Sequence, residues 1–240
     1  MSSSELSKIT AVILAGGFGT RLRSVIADRP KVLAEIFGRP FIAYLFDQLL
    51  SFHISRVVLC TGYMGDRIKK TFGDAYKALK IEYSQEPIPL GTAGALRNAL
   101  SHFISDQILV LNGDSFYSAD IASFWNWHTS NDALCSLLLT KVADTSRYGR
   151  VEIDSQGIIL KFDEKGGCSE PGLINAGIYF MNKQLILSIP TQRCVSLERD
   201  VFPLWIGRKL YGCGTEGTFI DIGTPEDYAK ATTFLKGDNP

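Results

Sequence analysis

The sequence predicts an α/β fold: a single domain built on a mixed, mostly parallel sheet flanked by helices. Three observations predict it. In the first half, apolar runs of strand length alternate with segments of helical spacing, the order that gives a parallel sheet covered on both faces. The second half is richer in strand-like runs, some joined by turns such as Asp154–Gly157. A chain of 240 residues, 45% of them hydrophobic, is long and apolar enough to bury one large core.

The elements follow in order. Thr10–Ala15 reads as a buried strand. Phe41–Phe52 has apolar residues at helical spacing, with Pro40 at its start. Arg56–Thr61 is a second strand, Asp66–Phe72 is helical, and Lys80–Ser84 is a third strand. Thr92–Leu100 reads as a helix, Gln107–Leu111 as the fourth strand, and Asp120–His128 as a helix. Ala133–Thr140, Arg150–Ile153, Ile158–Phe162 and Ile174–Phe180 read as strands. Helical patches at Leu185–Ile189 and Leu197–Trp205 follow, then a strand near Lys209–Gly212 and a helix from Pro225 to about Leu235. No repeat or linker interrupts the chain, so residues 1–240 are expected to form one unit. Ligands in such sheets sit outside the carboxyl ends of the strands.

Composition excludes several functions. Lys and Arg balance Asp and Glu, so a general nucleic-acid or acidic-membrane binder is not expected. No stretch approaches the roughly 20 apolar residues of a membrane span. The N-terminal MSSSELSKIT lacks the charged-then-apolar order of a signal peptide, which points to the cytoplasm. The five cysteines (Cys60, Cys135, Cys168, Cys194, Cys213) show no C-x-x-C, so neither disulfides nor zinc are expected. They read as core residues. His53, His102 and His128 are scattered and read as surface residues.

Chemistry starts at AVILAGGFGTRLRS, residues 11–24. Gly16, Gly17 and Gly19 follow the first strand at its carboxyl end. Bare backbone lets amides approach a phosphate and form an anion-holding concavity. Arg21 and Arg23 add forked donors for phosphate oxygens. The P-loop is excluded, since no Gly-Lys-Ser/Thr follows. The dinucleotide fingerprint is excluded too, since its last glycine is missing. Taken alone, the three glycines fit a tight structural turn as well as a nucleotide loop.

Downstream, D-R-P-K-V-L places Lys31 after a rigid proline. LAGGFGTRLR followed by PKVL resembles the sugar-phosphate nucleotidyltransferase family, the pyrophosphorylases that make NDP-sugars. The likeness runs from Ile13 to about Tyr228. It implies a Rossmann-like sheet of the GT-A type, with a nucleotide-binding half over about 9–132 and a sugar-binding half over about 133–240. It also implies joining a sugar 1-phosphate to an NTP with release of pyrophosphate. The attacking oxygen is already anionic, so catalysis needs alignment and charge neutralisation rather than a strong base.

The resemblance assigns roles to residues. Leu14, Ala15, Gly16, Gly17, Gly19 and Thr20 would hold the nucleotide. Arg21 would neutralise the outer phosphates, and Lys31 would bridge the α-phosphate and the sugar phosphate. ILVLNGDSF, residues 108–116, and FIDIGTPEDY, residues 219–228, resemble the family's two magnesium-ligand motifs. They give Asp114 and Asp221 as ligands of Mg²⁺, a hard cation that takes oxygen donors, with Gly113 beside the nucleotide. Glu226 and Asp227 read as first-turn helix acids.

YSQEPIPLGTAGAL, residues 83–96, resembles the base-recognition segment, with Gly91 and Thr92 against the base and the glycine leaving it room. Glu86 favours guanine, because a carboxylate accepts both the N1–H and the 2-amino group. Gln85, one residue earlier, would instead suit uracil or thymine. On the sugar side, Gly149 (after Tyr148), Glu164 and Lys165 in FDEKGG, and Asn175 in INAGIYF would meet sugar hydroxyls. Lys165 would also meet the sugar phosphate.

RPKVLAEIFGRPFIAYLFDQL and the short length resemble most the family's D-glycero-α-D-manno-heptose 1-phosphate guanylyltransferases. Mannose 1-phosphate guanylyltransferases are the next reading, then uridylyl- or thymidylyltransferases. The chain stops soon after the Asp221 motif, so the left-handed β-helix of longer members, and acetyltransferase activity with it, is not expected. The resemblance implies small-molecule partners and a homodimer. A non-catalytic sensor would usually lose the charged residues retained here.

Overall fold

The computed structural model describes residues 3–22, 25–26, 28–163 and 169–234. Arg23, Glu164, Lys165 and Cys168 lie outside the described residues.

A short helix, α1 (Ser3–Leu6), precedes β1 (Thr10–Leu14). A small hairpin, β2 (Glu35–Ile36) with β3 (Arg39–Pro40), leads into α2 (Phe41–Ser51). Then come β4 (Arg56–Thr61), α3 (Gly65–Phe72), β5 (Ala75–Tyr76) and β6 (Leu79–Gln85). The first half closes with α4 (Gly91–Asn98), β7 (Gln107–Asn112), β8 (Ser115–Tyr117) and α5 (Ile121–Ser130). The second half contains β9 (Cys135–Val142), β10 (Arg150–Ile153), β11 (Ile159–Asp163), β12 (Gly172–Asn182), α6 (Lys183–Leu187) and α7 (Phe202–Trp205). It ends with β13 (Leu210–Gly214), β14 (Phe219–Asp221) and α8 (Pro225–Phe234).

β1 lies between β4 and β7 and is parallel to both, while β6 continues the parallel run beyond β4. Such a central strand is covered on both faces, and its side chains divide accordingly. Ala11 and Ile13 pack with Phe46, Leu59 and Phe180, whereas Val12 packs on the opposite face with Val58, Leu96 and Tyr179. This explains why TAVIL is apolar at nearly every position rather than alternating.

β12 joins the two halves. It runs antiparallel to β9 along one side. Along the other it pairs first with β10, at Leu173 and Ile174, and then with β7 from Ile178 onward. The register breaks between Asn175 and Tyr179, where Gly177 takes φ +78°. A bulge at such a point re-aims side chains and often marks a site. No described helix is long and apolar enough to cross a membrane.

The reading of the histidines as surface residues fails at His128. It is 1% exposed, on the inner face of α5, with its ring against Trp125 and Phe180. One ring nitrogen meets Ser136 Oγ at 2.7 Å and the other Gln107 Oε1 at 3.3 Å. Burial pushes its pKa down from 6.5 to about 4. A depressed histidine contributes stability that is present above the unfolded value of 6.5 and is lost as pH falls toward 4. The contribution is on the order of 3 kcal/mol. The stability gap between wild type and His128→Asn, from urea unfolding, should therefore shrink on acidification through that window. A gap independent of pH would refute the assignment. The cysteines also divide: Cys60 and Cys135 are buried, but Cys194 is exposed.

Candidate active site

A cavity of about 620 Å³ opens at the carboxyl ends of the parallel strands, a size suited to a small-molecule ligand. The glycine loop forms one wall. Leu14, Ala15, Gly16, Gly17, Gly19, Thr20 and Arg21 all line it, as does Phe18. The three glycines serve different needs. A Cβ on Gly16 would lie 2.4 Å from Glu86 Oε1, and Gly19, at φ +58°, would set one 3.2 Å from the Lys31 side chain. Nothing lies within 4 Å of a Cβ built on Gly17. Gly17 therefore leaves backbone open to a ligand, whereas Gly16 and Gly19 let two functional side chains approach the loop.

Lys31 follows Pro30, which is extended (φ −61°, ψ 147°), and opens a single 3-10 turn anchored by buried Val32 and Leu33. Its Nζ donates to Asp114 Oδ2 at 2.8 Å and lies 3.8 Å from Asp221 Oδ1. Its side chain is only 12% exposed. Asp114 and Asp221 are far apart in the chain. They meet because β8 and β14 pair antiparallel, Ser115 opposite Asp221, and Ile222 N–H donates to the Asp114 carbonyl. Neither short strand is evident from periodicity.

Burial, with the neighbouring Asp114 charge, pushes the Asp221 carboxyl up to about 6, against the opposing pull of Lys31 and the Gly223 amide. Two carboxylates held together at such a cost fit a divalent cation. Among the described residues no third acid, histidine or cysteine joins them. Mg²⁺ suits that arrangement, since it commonly takes one or two carboxylates and completes its shell with water and phosphate oxygens.

Of the two candidate base readers, Glu86 lines the cavity. Its Oε2 accepts the Leu90 amide at 2.8 Å, and burial raises its pKa. Gln85 ends β6, is exposed, and is absent from the cavity wall. Gly91 and Thr92 line the wall as expected, but the glycine is needed for another reason. At φ +71° a Cβ there would lie 2.6 Å from the Val195 carbonyl oxygen, so protein backbone, not a base, requires the space. Gly113 does not reach the wall. Its amide donates to the Leu14 carbonyl at 2.9 Å, and a Cβ would collide with that same oxygen, so it packs β7 against β1.

Asn175 and Gly149 line the other side of the cavity, with Tyr148, Phe162 and Phe219. Asn175 is braced at both ends of its amide: Nδ2 donates to the Tyr179 hydroxyl at 2.9 Å, and Oδ1 accepts the Gly177 amide at 2.9 Å. Glu198, Asn112 and Ser115 also line the wall and were not anticipated. No local motif surrounds Glu198; Thr92, distant in sequence, meets it only in the fold. Glu226 is exposed, as a first-turn acid should be. Asp227 lies in the same first turn but is buried, pairing with the Arg147 guanidinium while accepting from Thr224 Oγ1. The pair ties the Tyr148–Gly149 loop to the first turn of α8. Arg147→Ala strands the buried Asp227 carboxylate and should cost about 2 kcal/mol in urea unfolding. An unchanged midpoint would show that the clamp is dispensable.

A family model described as Nucleotidyl transferase matches residues 10–237. The chain belongs to the nucleotidyl transferase family. It is 38% identical over 218 residues to D-glycero-alpha-D-manno-heptose 1-phosphate guanylyltransferase of Campylobacter jejuni, covering 91% of this chain and 96% of that one. It is 36% identical over 232 residues to mannose-1-phosphate guanylyltransferase of Mycobacterium tuberculosis, covering 95% of this chain and 65% of the other. Its fold matches the crystal structure of HddC from Yersinia pseudotuberculosis complexed with GMP-PN, with TM-score 0.82, 34% identity, and coverage of 95% and 100%. The protein is thus a nucleotidyltransferase with the family's Rossmann-like fold.

Proposed function

We propose that this nucleotidyltransferase transfers GMP from GTP to D-glycero-α-D-manno-heptose 1-phosphate, giving GDP-heptose and pyrophosphate. The observation that carries the nucleotide is the position of Glu86: its carboxylate, not the Gln85 amide, lies on the cavity wall against the glycine loop. A carboxylate accepts both guanine donors at once. The heptose follows from the similarity over nearly the full length of both chains.

An oxygen of the sugar phosphate attacks the α-phosphorus of GTP. The bond from that phosphorus to the oxygen bridging to the β-phosphate breaks, and pyrophosphate leaves. The Gly16–Gly19 backbone and Thr20 cradle the triphosphate, with Arg21 on its outer phosphates. Lys31 supplies positive charge to the α-phosphate and the sugar phosphate. Asp114 and Asp221 would hold Mg²⁺, and the ion would supply positive charge against the phosphate oxygens and the departing pyrophosphate. Gly149, Asn175, Glu164 and Lys165 receive the sugar phosphate, so the half before about residue 133 binds nucleotide and the half after it binds sugar. In this reading the enzyme works in the cytoplasm, as a homodimer, with no nucleic-acid or membrane partner, and supplies surface polysaccharide synthesis.

The test is pyrophosphate release with Mg²⁺, crossing GTP, ATP, CTP, UTP and dTTP with heptose, mannose, glucose and N-acetylglucosamine 1-phosphates. Release with GTP and the heptose is the expected result. Preference for mannose 1-phosphate would move the sugar assignment, and preference for UTP or dTTP would overturn the base argument. No release from any pair would favour a sensor on this fold.

A further inference from the structure

Glu198 is a half-buried carboxylate on the cavity wall, in the turn Leu197–Val201. Its Oε2 is anchored by neutral donors, the hydroxyls of Thr92 at 3.0 Å and Ser196 at 2.8 Å. The anchors are themselves fixed. Thr92 Oγ1 accepts the Leu197 amide at 2.8 Å, and Ser196 Oγ accepts the Arg199 amide at 3.2 Å. With those amides donating to the oxygens, each hydroxyl hydrogen is directed at the carboxylate. The other oxygen, Oε1, makes no hydrogen bond with a described residue, and Glu198 forms no ion pair among them.

An unpaired carboxylate repels phosphate, so it does not serve the phosphate end of a cavity that already commits Lys31 to Asp114 and Asp221. Its complement is an uncharged donor. Both substrates carry vicinal hydroxyls, one set on the ribose and one on the sugar ring. The surroundings favour the sugar. Burial holds the Tyr179 phenol far above its ordinary value, and the Glu198 charge adds to this ahead of Asp114. Glu198 shares the cavity wall with Asn175, whose Nδ2 donates to the Tyr179 hydroxyl within the bulge of β12. We infer that Glu198 Oε1 accepts hydrogen bonds from hydroxyl groups of the sugar 1-phosphate and is a specificity-determining residue for that substrate. The inference rests on the sugar 1-phosphate reading above and adds a contact on which that reading does not depend.

Glu198→Gln keeps an oxygen for Thr92 and Ser196 while weakening acceptance at the other position. KM for heptose 1-phosphate should rise on the order of tenfold or more, as expected for loss of a charge-assisted hydrogen bond. KM for GTP and the melting temperature should stay unchanged, and Glu198→Ala should raise the sugar KM further. A rise in the GTP KM that vanishes with 2′-deoxy-GTP would assign the carboxylate to the ribose and overturn the inference. Unchanged KM values would overturn it as well. So would parallel rises in both with a lowered melting temperature, which would mark a structural role. Wild-type turnover is read first: no product from wild type counts against the proposed function, whereas product with an unmoved sugar KM counts against Glu198.

Discussion

Lys31→Met should lower turnover on the order of a hundred- to a thousandfold, the usual loss when a preorganised charge is removed from a developing anion. The same substitution should have an effect on the resting protein that a purely chemical role would not predict. Lys31 sits between Asp114 and Asp221, and it opposes the rise in the Asp221 pKa toward about 6. Without the ammonium, the two carboxylates face each other. The variant should then melt at a lower temperature than wild type near neutral pH, and added Mg²⁺ should restore more of the difference than it adds to wild type. Turnover at the wild-type rate would refute the assignment of Lys31. A melting temperature insensitive to Mg²⁺ in both proteins would count against the two carboxylates as its ligands. Acidification below about 6 should weaken Mg²⁺ protection, because Asp221 must be ionised to serve as a ligand.

Glu86→Gln should change which nucleotide is used. The amide oxygen can still accept the Leu90 amide, so the loop should keep its shape. At the other end, an amide group replaces an acceptor and meets one of guanine's two donors head-on. Loss of that hydrogen bond to a charged group should reduce kcat/KM for GTP on the order of ten- to a hundredfold. UTP and dTTP, which present acceptors beside a single donor, should lose less. The ratio of kcat/KM values across the five NTPs measures this directly. An unchanged GTP preference would show that guanine is read elsewhere. Gly16→Ala should disturb the same site, since the added carbon would fall 2.4 Å from Glu86 Oε1.

Much of the architecture follows from local pattern. β4 and β10 have the bounds expected from the sequence, and α5 begins one residue after Asp120, which caps it by accepting the amides of Ala122 and Ser123. These elements are legible because periodicity and capping are properties of neighbouring residues. The glycine loop, Lys31 and the aspartates of NGD and FIDIG are legible through resemblance: each lies in a short stretch that resembles a motif of the nucleotidyltransferase family. The tertiary structure decided matters that depend on residues distant in sequence. The pairing of β8 with β14 brings Asp221 to Asp114. The turn after β6 puts Glu86 rather than Gln85 on the cavity wall. The Val195 carbonyl, not a base, accounts for Gly91. Packing under the sheet buries His128, Arg147 makes the first-turn acid Asp227 half of a clamp as well, and Thr92 anchors Glu198. Local sequence selects the elements and the chemistry they carry; long-range packing selects which of those groups share a cavity, because a side chain's neighbours there come from strands and turns far away along the chain.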